Sequence, residues 1–264
     1  MQIKLDEMEI TTASAQLAAT LMAPARALPG VLFVHGWGGS QAQDLARARE
    51  AAGLGSVCLT FDLRGHEGDV ELSRTVTRAQ NLDDLIGAYD WLAGQPNVDA
   101  AAIAVVGVSY GAYLAAILTS LRAVRWLSLR SPALYADERW DTPKFQLHLD
   151  MDLPAYRSRR IDWSENCALR ACAAFGGDVL IIEAQHDTIV PHTVIENYVA
   201  AFGKAKSLTS RVVAGADHAF SHRTQMHEYT TTLINWLTEM IVGGRQSAAK
   251  ARLDQHEQAR AVAS

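Results

Sequence analysis

The stretch A-A-I-A-V-V-G-V-S-Y-G-A, Ala101 to Ala112, decides the fold. Ile103 to Val106 and their neighbours form an apolar, partly β-branched run of the kind buried in a parallel sheet, and the following Y-G-A-Y-L-A-A-I-L reads as a buried helix. Ser109 therefore stands where a strand turns sharply into a helix. Gly107, Ser109 and Gly111 give the spacing G-x-S-x-G. Small residues two before and two after let strand and helix approach while the serine takes a strained, exposed conformation. Such a turn offers the hydroxyl to a pocket above the sheet. It also sets the backbone N–H of Tyr110 at a helix N-terminus, where it can donate to an oxyanion.

Outward from this point the chain alternates strand and helix. Residues 2–10 and Gln16 to Met22 read as an antiparallel hairpin at the edge of the sheet. G-V-L-F-V-H is a buried strand that ends at Gly36 and opens into the glycine-rich turn W-G-G-S. Ala42 to Ala52 is helical, and Ser56 to Asp62 is the next strand, which makes a parallel crossover unit. A helix begins at Asn81, with Leu82, Leu85, Ile86, Tyr89 and Leu92 spaced for one buried face. Downstream, Val124 to Arg130, Asp178 to Asp187 and Leu208 to His218 read as strands, and Thr193 to Phe202 and Thr224 to Val242 as helices. The predicted fold class is α/β, a mostly parallel doubly wound sheet of about eight strands with helices on both faces.

Residues 133–176 break the alternation and are too long for an ordinary connection, so they are expected to form a small helical cap on a core made of 1–132 and 177–243. The aromatic residues Trp140, Phe145 and Tyr156 of this insertion are candidates for a substrate pocket. The tail 244–264 carries almost no large apolar residues, and its alanines allow a helix with little to bury.

Composition narrows the partners. A chain of 264 residues, 49% hydrophobic and 20% charged, with a formal net charge of −5, is globular and has no basic footprint for nucleic acid. The three cysteines are an odd number and suggest no disulfide framework, and Cys58 lies inside an apolar run. No stretch reaches the roughly 18 apolar residues that span a membrane, and residues 1–5 lack the pattern of a signal peptide, so a cytoplasmic protein is expected. The expected partner is a small molecule, and a homodimer is compatible with this reading.

In a doubly wound sheet sites form at the carboxyl ends of the strands. The residues there are His35 to Ser40, Asp62 to Glu67, Ser109 and Tyr110, Asp187, and Asp217 to Phe220. A serine hydroxyl is a poor nucleophile until a histidine takes its proton, and the histidine needs a carboxylate to fix its tautomer. His218, in G-A-D-H, is the candidate base, and Asp187, before T-I-V-P, is the candidate acid. The chain order serine, acid, histidine is the one expected of a nucleophile on such an elbow. Asp217 is disfavoured as the acid because adjacency to His218 points the two side chains apart. Asp62 is a weaker competitor. His35 reads as structural, and His66 and His186 as neighbours of site loops. His218 and His222 have helical metal spacing but fall across a loop and lack the glutamate of zinc proteases. Arg157, Arg159 and Arg160 could hold a substrate carboxylate, although mixed-charge faces are usually solvated.

The motifs H-G-W-G-G-S, D-L-R-G-H, G-V-S-Y-G, H-D-T-I-V-P and G-A-D-H-A-F, in this order from 35 to 220, resemble those of the α/β-hydrolase fold superfamily. Within it the chain is most similar to small serine esterases of the dienelactone-hydrolase-like and feruloyl-esterase-like branches. The resemblance implies a second oxyanion donor in the backbone N–H of Trp37, paired with that of Tyr110. It implies no cofactor and no metal. A serine stands in place of the cysteine of true dienelactone hydrolases, and Gln185 stands where many relatives carry glycine. The implied activity is cleavage of a small carboxylic ester through an acyl-enzyme. The same three residues could act on a thioester, lactone, amide or carbon–carbon bond, because leaving-group choice lives in pocket shape. A small-ligand-binding protein without catalysis is the remaining alternative. An aspartate nucleophile is excluded by Ser109, and at 264 residues a propeller-bearing peptidase is not expected.

Overall fold

Strand β5 (Val98–Val108) lies at the centre of the molecule, and seven other strands are arranged around it. The computed structural model describes residues 4–12, 14–23, 28–67 and 70–262. The edge hairpin is β1 (Lys4–Thr11) and β2 (Gln16–Ala23), closed where Thr12 N–H donates to the carbonyl of Ala15 at 2.9 Å. Then follow β3 (Leu28–Val34), β4 (Val57–Phe61), β6 (Trp126–Arg130), β7 (Asp178–Ala184) and β8 (Ser207–Val213). The spatial order is β1-β2-β4-β3-β5-β6-β7-β8, with β2 antiparallel to both its neighbours and the pairs from β4 to β8 all parallel. The order reverses beside β3 and β5. A crevice opens there at the carboxyl ends of the strands.

Both faces of the sheet are covered, which is why the central strands are apolar without alternation. Leu32 and Val105 point to one face and Phe33 and Val106 to the other, all of them buried. The first face packs against α2 (Arg78–Ala93), α3 (Tyr110–Leu118), α6 (Cys167–Ala174) and α7 (His192–Ala201). The second packs against α1 (Leu45–Gly53) and α8 (Arg223–Val262). The architecture is that of an α/β-hydrolase.

Helix α2 begins at Arg78, before the expected start at Asn81. Thr77 and Gln80 form a capping box in which each side chain accepts from the other's backbone N–H, at 3.2 and 3.0 Å. Residues 133–176 contain α4 (Lys144–Asp150), α5 (Leu153–Arg157) and α6. Their buried side chains Leu153, Ile161 and Leu169 join the same apolar cluster as the sheet, and α6 lies beside α3 in the helical layer. Helix α8 continues to Val262, through most of the segment expected as a tail.

Candidate active site

Ser109 sits between β5 and α3 at φ 51° and ψ −110°, a strained conformation for a residue with a side chain. The surroundings enforce it. Its N–H donates to the carbonyl of Arg130 at 2.8 Å, and its own carbonyl accepts from the N–H groups of Tyr113 and Ala133 at 3.1 and 3.0 Å. The glycines on either side are required by close approach. A Cβ at Gly107 would lie 2.5 Å from Ala112 Cα, and one at Gly111 would lie 2.3 Å from the carbonyl oxygen of Val34. Gly107 thus lets α3 close on β5, and Gly111 lets α3 press against the end of β3.

Two loops from the far side of the sheet meet this serine. His218, five residues beyond β8, places Nε2 2.9 Å from Ser109 Oγ, while its Nδ1 lies 2.7 Å from Asp187 Oδ2. Asp187 also accepts the N–H groups of Ile189 and Val190 at 2.9 and 2.7 Å through Oδ1. Burial pushes the Asp187 carboxyl upward, but the hydrogen bonds from His218 and Val190 outweigh it and hold the group below its ordinary range. An ionised Asp187 keeps the proton on Nδ1 and leaves Nε2 free to accept from the serine. Gln185 links the two loops, since its Oε1 accepts the N–H of Gly215 at 2.8 Å. A glycine at 185 would lack this tie.

The turn after β3 faces Ser109 from the other side, with the Cβ position of Gly36 3.4 Å from the serine Cβ. His35 fixes this turn to the next one: its Nδ1 lies 2.8 Å from the carbonyl of Gly36, and its Nε2 accepts the N–H of Leu63 at 3.1 Å. Burial lowers its pKa, so it stays neutral, as the acceptor role of Nε2 requires. Among the described residues neither the N–H of Trp37 nor that of Tyr110 has a hydrogen-bond partner. The rings of these two residues meet edge to face at 5.6 Å. Lys144 Nζ lies 3.8 Å from the centre of the Trp37 ring and 4.7 Å from that of Tyr110, and 2.9 Å from His148 Nε2. This fully buried lysine ties α4 to both candidate donor residues.

The cavity beside Ser109 has a volume of about 410 Å³. Trp37, Val108, Arg130, His218, Arg47 and Met226 are among its lining residues. Trp140, Phe145 and Tyr156 are not. Trp140 stacks on Tyr113, Phe145 is exposed, and the Tyr156 hydroxyl accepts from Asn166. Arg157 donates to the carbonyls of Leu134 and Ile189, and Arg160 pairs with Glu196, so both are engaged away from the cavity. Asp62 accepts from the backbone and side chain of Gln41, and Asp217 from Ser221, which occupies both carboxylates locally. Arg130 and Arg47 are lining residues that the sequence reading passed over. Arg130 was legible as the last residue of the strand W-L-S-L-R, at a carboxyl end, whereas Arg47 reaches the cavity from a helix whose pattern gives no such signal.

A serine on a strand-to-helix elbow, hydrogen-bonded through a histidine to a carboxylate, defines a serine hydrolase site of the α/β type. Residues 46–243 match the model of the prolyl oligopeptidase family, and the chain belongs to that family. It is 30% identical over 217 residues to an uncharacterized protein of Mycobacterium tuberculosis, covering 82% of this chain and 72% of that one. Its fold is similar to that of a dienelactone hydrolase from Anabaena variabilis, with TM-score 0.66, 18% identity, and coverage of 90% of this chain and 99% of that chain. It is likewise similar to Est1E of Butyrivibrio proteoclasticus with ferulic acid bound, with TM-score 0.68, 17% identity, and coverage of 89% and 99%. Among the described residues no helix is long and apolar enough to cross a membrane.

Proposed function

We propose that this hydrolase is a carboxylesterase that cleaves small esters through an acyl-enzyme on Ser109. The observation that carries the reading is the continuous relay from Ser109 Oγ through His218 to Asp187, at 2.9 and 2.7 Å. In this mechanism Ser109 Oγ attacks the ester carbonyl and its proton passes to His218 Nε2. The imidazolium, held by Asp187, then protonates the departing alkoxide. Water then attacks the acyl carbonyl as its proton passes to His218, and the imidazolium returns that proton to Ser109 Oγ as the acid leaves. The free N–H groups of Trp37 and Tyr110 would hold the oxyanion, a contribution of about 3 to 4 kcal/mol per donor in comparable sites. The cavity of about 410 Å³ suits a small substrate. Its partner would be that small molecule rather than a nucleic acid or a membrane. Three free cysteines fit a reducing compartment such as the cytoplasm.

A second reading, cleavage of an amide or peptide bond, is favoured by the description of the family. A panel of short 4-nitrophenyl esters against the matching anilides separates the two. The first test is covalent labelling by a fluorophosphonate with mapping of the modified peptide. Label on Ser109 that disappears in both Ser109→Ala and His218→Ala is the expected result. A folded wild-type protein that takes no label overturns the assignment and favours a ligand-binding role.

A further inference from the structure

Arg130 lines the cavity beside Ser109, and among the described residues its guanidinium has no ion-pair partner. The residue is 8% exposed, and among the described residues its guanidinium makes no hydrogen bond and no ion pair. Its Nε is sealed from solvent without a partner. The group rests instead against a pair of rings, its Cζ 4.7 Å from the centre of Phe220 and 5.0 Å from that of Tyr229, two rings whose own centres are 5.6 Å apart. Rings grip the plane of a guanidinium and leave its donor edge unsatisfied. Arg47 holds Asp44 with Nε and a terminal nitrogen at 3.1 and 2.7 Å, and Asp187, behind His218, is not among the residues that line the cavity. With His218 neutral, the lining itself carries two guanidinium groups, Arg47 and Arg130, and one carboxylate, Asp44. A methionine or leucine would pack against Phe220 and Tyr229 without the desolvation that a buried guanidinium suffers, so packing alone does not account for an arginine.

The position of this charge is fixed relative to the chemistry. The backbone carbonyl of Arg130 accepts the N–H of Ser109 at 2.8 Å, and Phe220 stands two residues beyond His218. An anion on Arg130 would therefore lie within the same small cavity as the carbonyl that Ser109 attacks. We infer that Arg130 is a specificity-determining residue that binds a carboxylate carried by the substrate, so that the preferred substrates are esters of small dicarboxylic acids with one acid group free. The planar fork of the guanidinium donates two parallel hydrogen bonds to a carboxylate, and an uncharged ester leaves it unpaired. This inference rests on the serine-hydrolase reading of Ser109.

The test compares 4-nitrophenyl hydrogen adipate with its neutral analogue, 4-nitrophenyl methyl adipate. Wild type is expected to favour the acid-bearing ester by about a hundredfold in kcat/KM, and Arg130→Met to bring that ratio close to one. Arg130→Lys, which keeps the charge without the fork, should retain part of the preference. Free adipate should slow fluorophosphonate labelling of Ser109 in wild type and not in Arg130→Met. Equal turnover of the two esters by wild type, or a ratio unchanged in Arg130→Met, overturns the inference, as does protection by inorganic phosphate and not by adipate. If Arg130→Met does not fold, the wild-type ratio, the protection by adipate and the Arg130→Lys ratio decide. Failure of the hydrolase reading is seen separately, as absence of label on Ser109. In that case calorimetric titration of adipate into wild type and Arg130→Lys decides, with weaker binding to the variant expected and no binding to wild type overturning the subsite.

Discussion

At the scale of single residues the site depends on which atom of His218 carries a proton. Asp187 fixes it by accepting from Nδ1 at 2.7 Å, and its second oxygen is occupied by two backbone N–H groups. An asparagine at 187 can keep the backbone contacts through its carbonyl oxygen, but its amide would donate to Nδ1 and put the proton on Nε2. The imidazole could then no longer accept from Ser109. Asp187→Asn is expected to lower kcat for a 4-nitrophenyl ester by about 10⁴, with the thermal midpoint little changed. A kcat within tenfold of wild type would show that the tautomer does not matter. Because the folded carboxyl titrates below its ordinary range, its contribution to stability is present at neutral pH and is lost as pH falls through that depressed value.

At the scale of elements the β5–α3 elbow is the least tolerant part of the chain. Its strain at Ser109 is maintained by the packing of α3 against β3, and Gly111 is the point of contact. A Cβ there meets two backbone oxygens, at 2.3 Å from Val34 and 2.4 Å from His35, neither of which can rotate away. Gly111→Ala is expected to lower stability by about 3 kcal/mol or more, read from the urea midpoint, and to abolish labelling of Ser109 in what remains folded. Gly53→Ala is the control, because nothing lies within 4 Å of a Cβ at that helix position. Equal midpoints for the two variants would contradict the close approach. The elbow was legible because its geometry is local: glycine, serine and the apolar runs on either side suffice. The surroundings of the aromatics in 133–176 were not. Trp140, Phe145 and Tyr156 were expected at the pocket; Trp140 stacks instead on Tyr113, Phe145 is exposed and Tyr156 accepts from Asn166, a placement that depends on long-range packing no local pattern encodes.

At the scale of the whole molecule two buried imidazoles are held neutral. Burial drives His66 down to about 4 and lowers His35 as well. In the unfolded chain each takes up a proton near pH 6.5. Below that value the unfolded state binds more protons than the folded one, so stability falls as pH is lowered toward about 4, by about 1.4 kcal/mol per pH unit for each imidazole that stays neutral. Chemical unfolding at a series of pH values should show this fall. A midpoint that stays flat from about pH 6.5 to 4.5 would mean that the two groups are protonated in the fold. His35 and His66, with rings 4.9 Å apart, belong to the turns that present Trp37 and Leu63, so acid is expected to loosen the site before the rest of the sheet.

The sequence by itself determined the α/β class, the order of strands and helices, the edge hairpin, and the identity of the serine, acid and histidine that meet at the carboxyl end of the sheet. These are read from patterns a few residues long: apolar runs of strand and helix period, glycines where only glycine fits, and polar residues directly after each strand. The tertiary structure decided what surrounds the serine. Arg130 and Arg47 come to the cavity from a strand and a helix 83 positions apart in the chain, and the buried Lys144 reaches Trp37 from a helix far along the chain. Gln185 finds Gly215 only because β7 and β8 pair in register. Such contacts arise when separate elements pack together, and burial, not local propensity, sets their charge and hydrogen bonding.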